Sequence, residues 1–141
     1  MTILLDTNII LDALQERQPY DAAAKEILYR SQSGEIACLF TANAATDIFF
    51  LYSKARDLRS ARAALSFLLA HYGVVSVTQE DCVSAMSIGI DDFEDALVTV
   101  CVAKTEVDYI VTRDEKFLQS RSLVPLVGPA ELLEKLSGPH K

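Results

Sequence analysis

The chain alternates between short, continuous apolar runs and longer stretches in which apolar residues recur every three or four positions. Thr2-Ile3-Leu4-Leu5 is the first such run, and it stops at Asp6. A short run without polar interruption reads as a strand buried on both faces, as in the middle of a parallel sheet. Ile36 to Phe40, Val74 to Val77, Asp108 to Thr112 and Val124 to Val127 repeat the pattern, and Pro125 suits the last of them to an edge. Helical spacing fills the intervals. Asp6-Thr7-Asn8 offers cap chemistry for a short helix over 9–14. After Pro19, the positions of Ala23, Ala24, Ile27 and Leu28 predict a helix over 20–31, closed by Gly34. Thr41 can cap a helix over 42–55. Asp57 opens another, with Leu58, Ala61, Leu65, Leu68 and Leu69 on one face, which Gly73 stops. Helices are also expected over 78–87, before Gly89, over 92–104, and briefly after Asp114. Pro129 fits the first turn of a last helix reaching Leu136.

Strands that alternate with helices from end to end predict a three-layer α/β/α sandwich with a central, mostly parallel sheet of four to five strands. The 141 residues, half of them hydrophobic, suffice for one domain over 1–136, with 137–141 expected to fray. No apolar run approaches the roughly 20 residues that span a bilayer. No basic leader precedes the first strand, so the expectation is a soluble, cytoplasmic protein without membrane contact. Cys38, Cys82 and Cys101 are odd in number and scattered, with no CxxC pair. That argues against a disulfide framework and a zinc site, and for small buried hydrophobes in a reducing compartment.

Charge complicates the picture. The formal net charge is −7. Phosphate contacts dominate nucleic-acid affinity, so this balance counts against a polyanionic substrate. It counts less if several carboxylates gather around cations, which then carry the largest local charges. Lys54, Arg56, Arg59 and Arg62 cluster within nine positions; a solvated helix face is the plainer reading of that cluster.

The acids carry the candidate chemistry. In open parallel sheets ligands bind beyond the carboxyl ends of the strands. Asp6 ends the first strand and Asp114 follows the fourth. Each could be only a helix cap, but a carboxylate ending a buried strand is costly unless paired or coordinated. Asp92 and Asp95 lie three residues apart at the start of one helix, where N-capping and the macrodipole offer structural readings. Asp47 sits mid-helix among apolar neighbours, a poor place for Asp unless it is exposed or faces a polar pocket. Oxygen-only ligands without His or Cys select hard cations such as Mg²⁺ or Mn²⁺. Two such ions can activate water and stabilise the leaving oxygen of a phosphodiester. No glycine-rich phosphate loop or GxSxG competes with this apparatus. A phosphohydrolase or a phosphate-accepting receiver domain would also place acids at strand ends, but a receiver needs one after a central strand, and Ile36 to Phe40 ends without an acid.

Leu4-Leu5-Asp6-Thr7-Asn8-Ile9-Ile10-Leu11-Asp12 resembles the N-terminal signature of PIN domains, the fold of VapC-type toxin ribonucleases. Asp92-Phe93-Glu94-Asp95-Ala96-Leu97 and Tyr109-Ile110-Val111-Thr112-Arg113-Asp114 resemble the family's later motifs, in the right order, and Thr41 to Asp47 matches the stretch where the family has an acid. The resemblance covers nearly the whole chain. It implies metal binding by Asp6, Asp95 and Asp114, with Asp92 a possible further ligand and Asp47 completing the acidic set. It implies that Asn8 and Thr112 orient the carboxylates and the attacking water. The reaction would be hydrolysis of RNA to 5′-phosphate and 3′-hydroxyl ends with Mg²⁺ or Mn²⁺. The implied partners are RNA, a second copy of the chain in a homodimer and, for a toxin, an antitoxin protein. Two departures stand out: Asp47 replaces the usual Glu, and Lys116 precedes Phe117 where many members have an acid. The departure at Asp47 and the negative charge support an alternative, a PIN-fold binding or regulatory module without efficient catalysis.

Overall fold

The computed structural model describes residues 1–138. In chain order the elements are β1 (Thr2–Leu5), α1 (Thr7–Leu14), α2 (Asp21–Gln32), β2 (Ala37–Thr41), α3 (Ala42–Ala55), α4 (Leu58–His71), β3 (Gly73–Val75), α5 (Gln79–Ala85), α6 (Phe93–Ala103), β4 (Tyr109–Val111), α7 (Glu115–Leu118), β5 (Leu126–Val127) and α8 (Pro129–Ser137). The five strands form one sheet in the order β3-β2-β1-β4-β5, and every pairing is parallel. Helices cover both faces, so the expected sandwich is the observed one.

The unbroken apolar run of β1 follows from its central place. Successive strand residues point to opposite faces. Ile3 and Leu5 join Ile9, Ile10, Ile27, Ile48, Leu68 and Leu132 in one core, beneath α1 to α4 and α8. Leu4 points the other way and packs with Val98, Cys101, Val102, Ile110 and Phe117 in a second core, beneath α5 to α7. All three β1 side chains are essentially fully buried. The cysteines are free thiols, two buried and one half-buried.

Local chemistry sets the element ends. Asp57 caps α4 through Ser60 N at 2.7 Å, and Thr78 with Asp81 forms a reciprocal capping box on α5. Gly34, at φ +84°, follows the end of α2 in the left-handed region. Gly73 does not merely stop a helix. It opens β3, and a Cβ there would meet the end of the Leu39 side chain, which would have to shift to admit one. β3 ends at Val75, not Val77, because its partner runs out: Val75 pairs with Thr41, after which β2 turns into α3. β5 is likewise only two residues long and lies at the edge, where Pro125 contributes its carbonyl to Ile110 N at 2.9 Å and needs no donor of its own. Helix α8 continues through Ser137; the end of the expected frayed tail, residues 139–141, lies outside the described residues. Among the described residues no helix is long and apolar enough to cross a membrane.

Burial on both faces makes a specific demand. Leu4→Ala should destabilise the protein by about 2–5 kcal/mol, the range for a core leucine, whereas Val74→Ala, 44% exposed on the edge strand, should cost under about 0.5 kcal/mol. Urea denaturation of the two variants measures the contrast, and equal costs would contradict the two-core arrangement.

Candidate active site

The sheet order places a reversal between β1 and β4. From β1 the chain moves to β2 and β3 on one side, and from β4 it moves to β5 on the other. A crevice opens at the carboxyl ends of two strands that diverge in this way. Leu5 pairs with Val111, and Asp6 N donates to Val111 O at 3.0 Å, so Asp6 and Thr112 leave the sheet side by side. Asp6 caps α1, its Oδ1 accepting from Thr7 N at 2.9 Å. Its Oδ2 accepts from Thr112 Oγ1 at 2.7 Å. Thr112 is fully buried, and its hydroxyl in turn accepts from Asp114 N at 3.1 Å. One threonine therefore joins the two strand-end acids. Asp114 caps α7 with Oδ1, which accepts from Lys116 N at 2.9 Å and Phe117 N at 3.3 Å. Asp92 caps α6 through Asp95 N at 3.1 Å. In Asp92 and Asp114 one carboxylate oxygen is used in this way and the other takes no hydrogen bond among the described residues. Asp92, Asp95 and Asp114 line an open cleft of about 420 Å³, with Lys116 and Arg121 on its wall.

The acids feel one another. Burial pushes the Asp6 carboxyl above its usual range, against the hydrogen bonds from Thr112 and Thr7, and the charges of Asp114 and Asp92 push it the same way. Asp95 is raised from 3.8 to about 7, first by burial and then by Asp92, Asp6, Asp114 and Glu94. Glu94 is raised by burial and by Asp47, Asp6 and Asp92. Carboxylates crowded without a counter-charge take up protons in just this way. Asp47 is half-buried on α3 and enters this set through Glu94, for which it is the strongest acidic neighbour. As the side chains stand, no three His, Cys, Asp or Glu among the described residues converge closely enough to hold one ion. Asn8 is exposed, and its amide oxygen accepts from Arg17 Nη1 at 3.3 Å rather than touching an acid.

Sequence reasoning passed over three charged residues around the site. Glu94 lies between Asp92 and Asp95, where the motif itself marks it. Asp12 is fully buried and takes a two-point clasp from Arg113, Nε to Oδ2 at 2.6 Å and Nη2 to Oδ1 at 3.0 Å. The Arg113 guanidinium also stacks 3.9 Å from the centre of the Tyr20 ring. The clasp ties the Thr112–Asp114 segment to α1. The available signal was an Asp on the apolar face of a helix whose buried neighbours are Leu11 and Ala13.

Two outcomes follow for the metal-free protein. Asp95 ionises near 3.8 in the unfolded chain and near 7 in the fold. The folded state therefore holds more protons between those values, and stability should fall as pH rises through that window and flatten above it. Asp6 and Glu94 act in the same direction; Asp81, held down to about 2 by Lys104, acts below the window. Melting in EDTA at pH 5 and pH 8 checks this, and a higher melting temperature at pH 8 would refute it. Separately, Asp12→Ala should cost about 3 kcal/mol, the low end for breaking a buried pair because Arg113 keeps some contact with water; denaturant titration measures it.

A family model described as PIN domain matches residues 2–116. Solved structures of similar shape include VapBC2 from Rickettsia felis bound to a DNA fragment from its promoter, with TM-score 0.66, 14% identity, and coverage of 91% of this chain and 98% of that one. VapC20 from Mycobacterium tuberculosis, a toxin that cleaves the sarcin-ricin loop, has TM-score 0.67 and 18% identity, over 82% of this chain and 92% of that one. PAE2754 from Pyrobaculum aerophilum has TM-score 0.60 and 18% identity, over 97% and 90%. No curated protein matches the sequence significantly. At these identities the solved structures speak for the fold, and the family rests on the match along the sequence itself. Five parallel strands, acids at the reversal between β1 and β4, and a family match over most of the chain agree: the protein belongs to the PIN domain family.

Proposed function

We propose that the protein is a metal-dependent endoribonuclease of the toxin kind. The observation that carries this reading is the gathering of Asp6, Asp92, Asp95 and Asp114 at the sheet reversal, where burial first and the charges of the neighbouring acids second raise Asp95 to about 7. The donor set fits a hard divalent cation. It offers only oxygens, it is anionic, and its mutual repulsion is what a bound cation would relieve. Asp6, Asp95, Asp114 and Asp92 are the residues that would hold Mg²⁺ or Mn²⁺, with Asp47 completing the acidic set beside Glu94. Such an ion, when bound, lowers the pKa of water and neutralises charge at the leaving oxygen.

The chain's own residues have separate tasks. Thr112 fixes the rotamer of Asp6 by donating to Oδ2 and holds the start of the Asp114 loop by accepting from its backbone amide. The N-cap bonds of Asp92 and Asp114 orient those carboxylates and leave one oxygen of each toward the cleft. Lys116 and Arg121 on the cleft wall supply cations for the non-scissile phosphates. Water attacks in line, and the phosphate remains on the 5′ side of the downstream fragment, leaving a 3′-hydroxyl upstream. Asn8, its amide oxygen tied to Arg17, keeps its amide nitrogen for orienting the attacking water. The fold shared with a toxin–antitoxin complex from Klebsiella pneumoniae supports an antitoxin protein as partner. A homodimer in the cytoplasm is the working form in this reading.

A second reading has its own observation. Asp47 is one methylene shorter than the family's Glu, and no three acids among the described residues converge as the side chains stand. That favours a binding or regulatory module that keeps the fold without turnover. Labelled single-stranded RNA incubated with Mn²⁺, with Mg²⁺ or with EDTA separates the two. The nuclease reading expects cleavage in either metal, none in EDTA, and a loss of at least about 100-fold in Asp6→Asn. Thr112→Val, which removes an orienting hydroxyl, should lose about 10–100-fold. Cleavage indifferent to EDTA and to Asp6→Asn would overturn the site, and folded protein without any cleavage would leave the binding module.

A further inference from the structure

Asp47 does not end its face of α3. Phe50, Leu51 and Lys54 follow it at spacings of three, four and seven residues, so they share its side of the helix. Phe50 is 55% exposed and Leu51 is 39% exposed. The Lys54 ammonium sits 4.8 Å from the centre of the Phe50 ring. From α4, antiparallel to α3, Arg62 reaches over Phe49 with its guanidinium 5.9 Å from the ring centre. Arg56 lies at the same distance over Tyr52, and Arg59 is exposed on the first turn of α4. The only acid within this run, Asp57, spends a carboxylate oxygen capping α4 at Ser60.

In a chain of net charge −7, cations should find acids easily. Five of them do: Arg17, Lys25, Arg30, Lys104 and Arg113 pair with carboxylates, whereas Lys116, Arg121 and Lys135 make no ion pair among the described residues. Lys54, Arg56, Arg59 and Arg62 make no ion pair among the described residues. Lys54, Arg56 and Arg62 rest instead on aromatic rings and Arg59 is exposed, which leaves their charge available to an outside anion. Lys54 lies about 10 Å along the helix axis from Asp47, by the rise of seven residues. The ridge therefore starts at Asp47 and runs away from it, with the exposed Phe50 ring beside Lys54.

We propose that the α3–α4 ridge is the track on which single-stranded RNA lies while one phosphodiester enters the acidic cleft. Lys54, Arg56, Arg59 and Arg62 take phosphates, and Phe50 stacks a base. This is the pairing of cationic groove and sequence-tolerant aromatic platform by which proteins hold single strands. The inference rests on the nuclease reading for its orientation, because Asp47 joins ridge to cleft.

Binding and hydrolysis are measured separately. Fluorescence anisotropy with an unstructured RNA oligonucleotide, on the Asp6→Asn protein so that nothing is cut, gives affinity against salt. Each phosphate contact on a single strand contributes about −0.7 to the slope of log K against log salt. Lys54→Gln, Arg59→Gln and Arg62→Gln combined should flatten the slope by about 2, and the matching Lys54→Arg change should restore its own share. Phe50→Ser should weaken binding roughly 5- to 100-fold with the slope unchanged. Melting temperatures within a few degrees of the parent show that the variants fold. An unchanged slope in the triple variant overturns the track, as does a result in which Phe50→Ser alters only the oligomeric state seen by light scattering. Hydrolysis of a small aryl phosphodiester by the wild type in Mn²⁺ tests the cleft alone. If that hydrolysis is present and the salt slope does not move, the ridge fails and the nuclease reading survives. If it is absent while the slope flattens as expected, the ridge stands as an RNA surface and the nuclease reading fails.

Discussion

The arrangement depends on the parallel pairing of β1 with β4. Ile3, Leu4 and Leu5 meet Tyr109, Ile110 and Val111, segments more than a hundred residues apart in sequence. Parallel pairing requires both faces to be buried, and here α1 to α4 cover one and α5 to α7 the other. It also brings the carboxyl ends of both strands to the same edge. Antiparallel pairing would have sent Asp6 and Thr112 to opposite ends of the sheet. The register then fixes the chemistry: Leu5 opposite Val111 sets Asp6 beside Thr112, close enough for a 2.7 Å hydrogen bond. A slip of one residue would exchange the two cores and turn Thr112 away.

Placing acids at a buried edge carries an electrostatic cost, and the fold offsets only part of it. Asp12 lies deeper than any of the candidate ligands, yet Arg113 neutralises it with two hydrogen bonds. Asp81 is treated the same way by Lys104. Asp6, Asp95 and Glu94 form no ion pair among the described residues, and burial first and neighbouring acids second raise their carboxyl groups. The difference separates structure from candidate chemistry. Buried acids with a built-in partner hold elements together. Acids left to repel one another await a cation from outside or hold their protons to higher pH than usual.

Much of this was legible in the residues. Apolar runs gave all five strands, because a strand buried on both faces has no polar interruption to hide it. Asp6 and Asp114 could be placed at strand ends by counting. What periodicity cannot carry is pairing across long separation. The Asp12–Arg113 clasp joins positions a hundred residues apart, and nothing local to either announces the other. Asp12 lay within the quoted motif, yet its pattern alone did not distinguish a salt-bridged core acid from a solvated one. The ends of β3 and β5 were missed for a related reason: an edge strand is only as long as its partner, and the limit on β3 lies in Thr41, not in Val77. Asn8 shows the converse. Its motif position pointed to the site, and its hydrogen bond goes to Arg17.

Net charge misleads here because it averages over a segregated surface. A total of −7 argues against a polyanionic ligand only if the charges are mixed. In this fold Asp6, Asp92, Asp95 and Asp114 meet at the mouth of the β1–β4 crevice, with Lys116 and Arg121 on the cleft wall, while Lys54, Arg56, Arg59 and Arg62, without an ion pair among the described residues, lie at the α3–α4 corner. An anion approaching from solution meets a dipole, repelled at one end and attracted at the other. Divalent cations entering the crevice would invert the repulsive end and leave the attractive end as it was. Affinity for a polyanion should then depend on divalent ion far more steeply than screening alone explains, since monovalent salt weakens the ridge while a divalent ion strengthens the crevice. On the proposed reading, the acidic composition makes the binding of RNA conditional on a divalent ion rather than ruling it out.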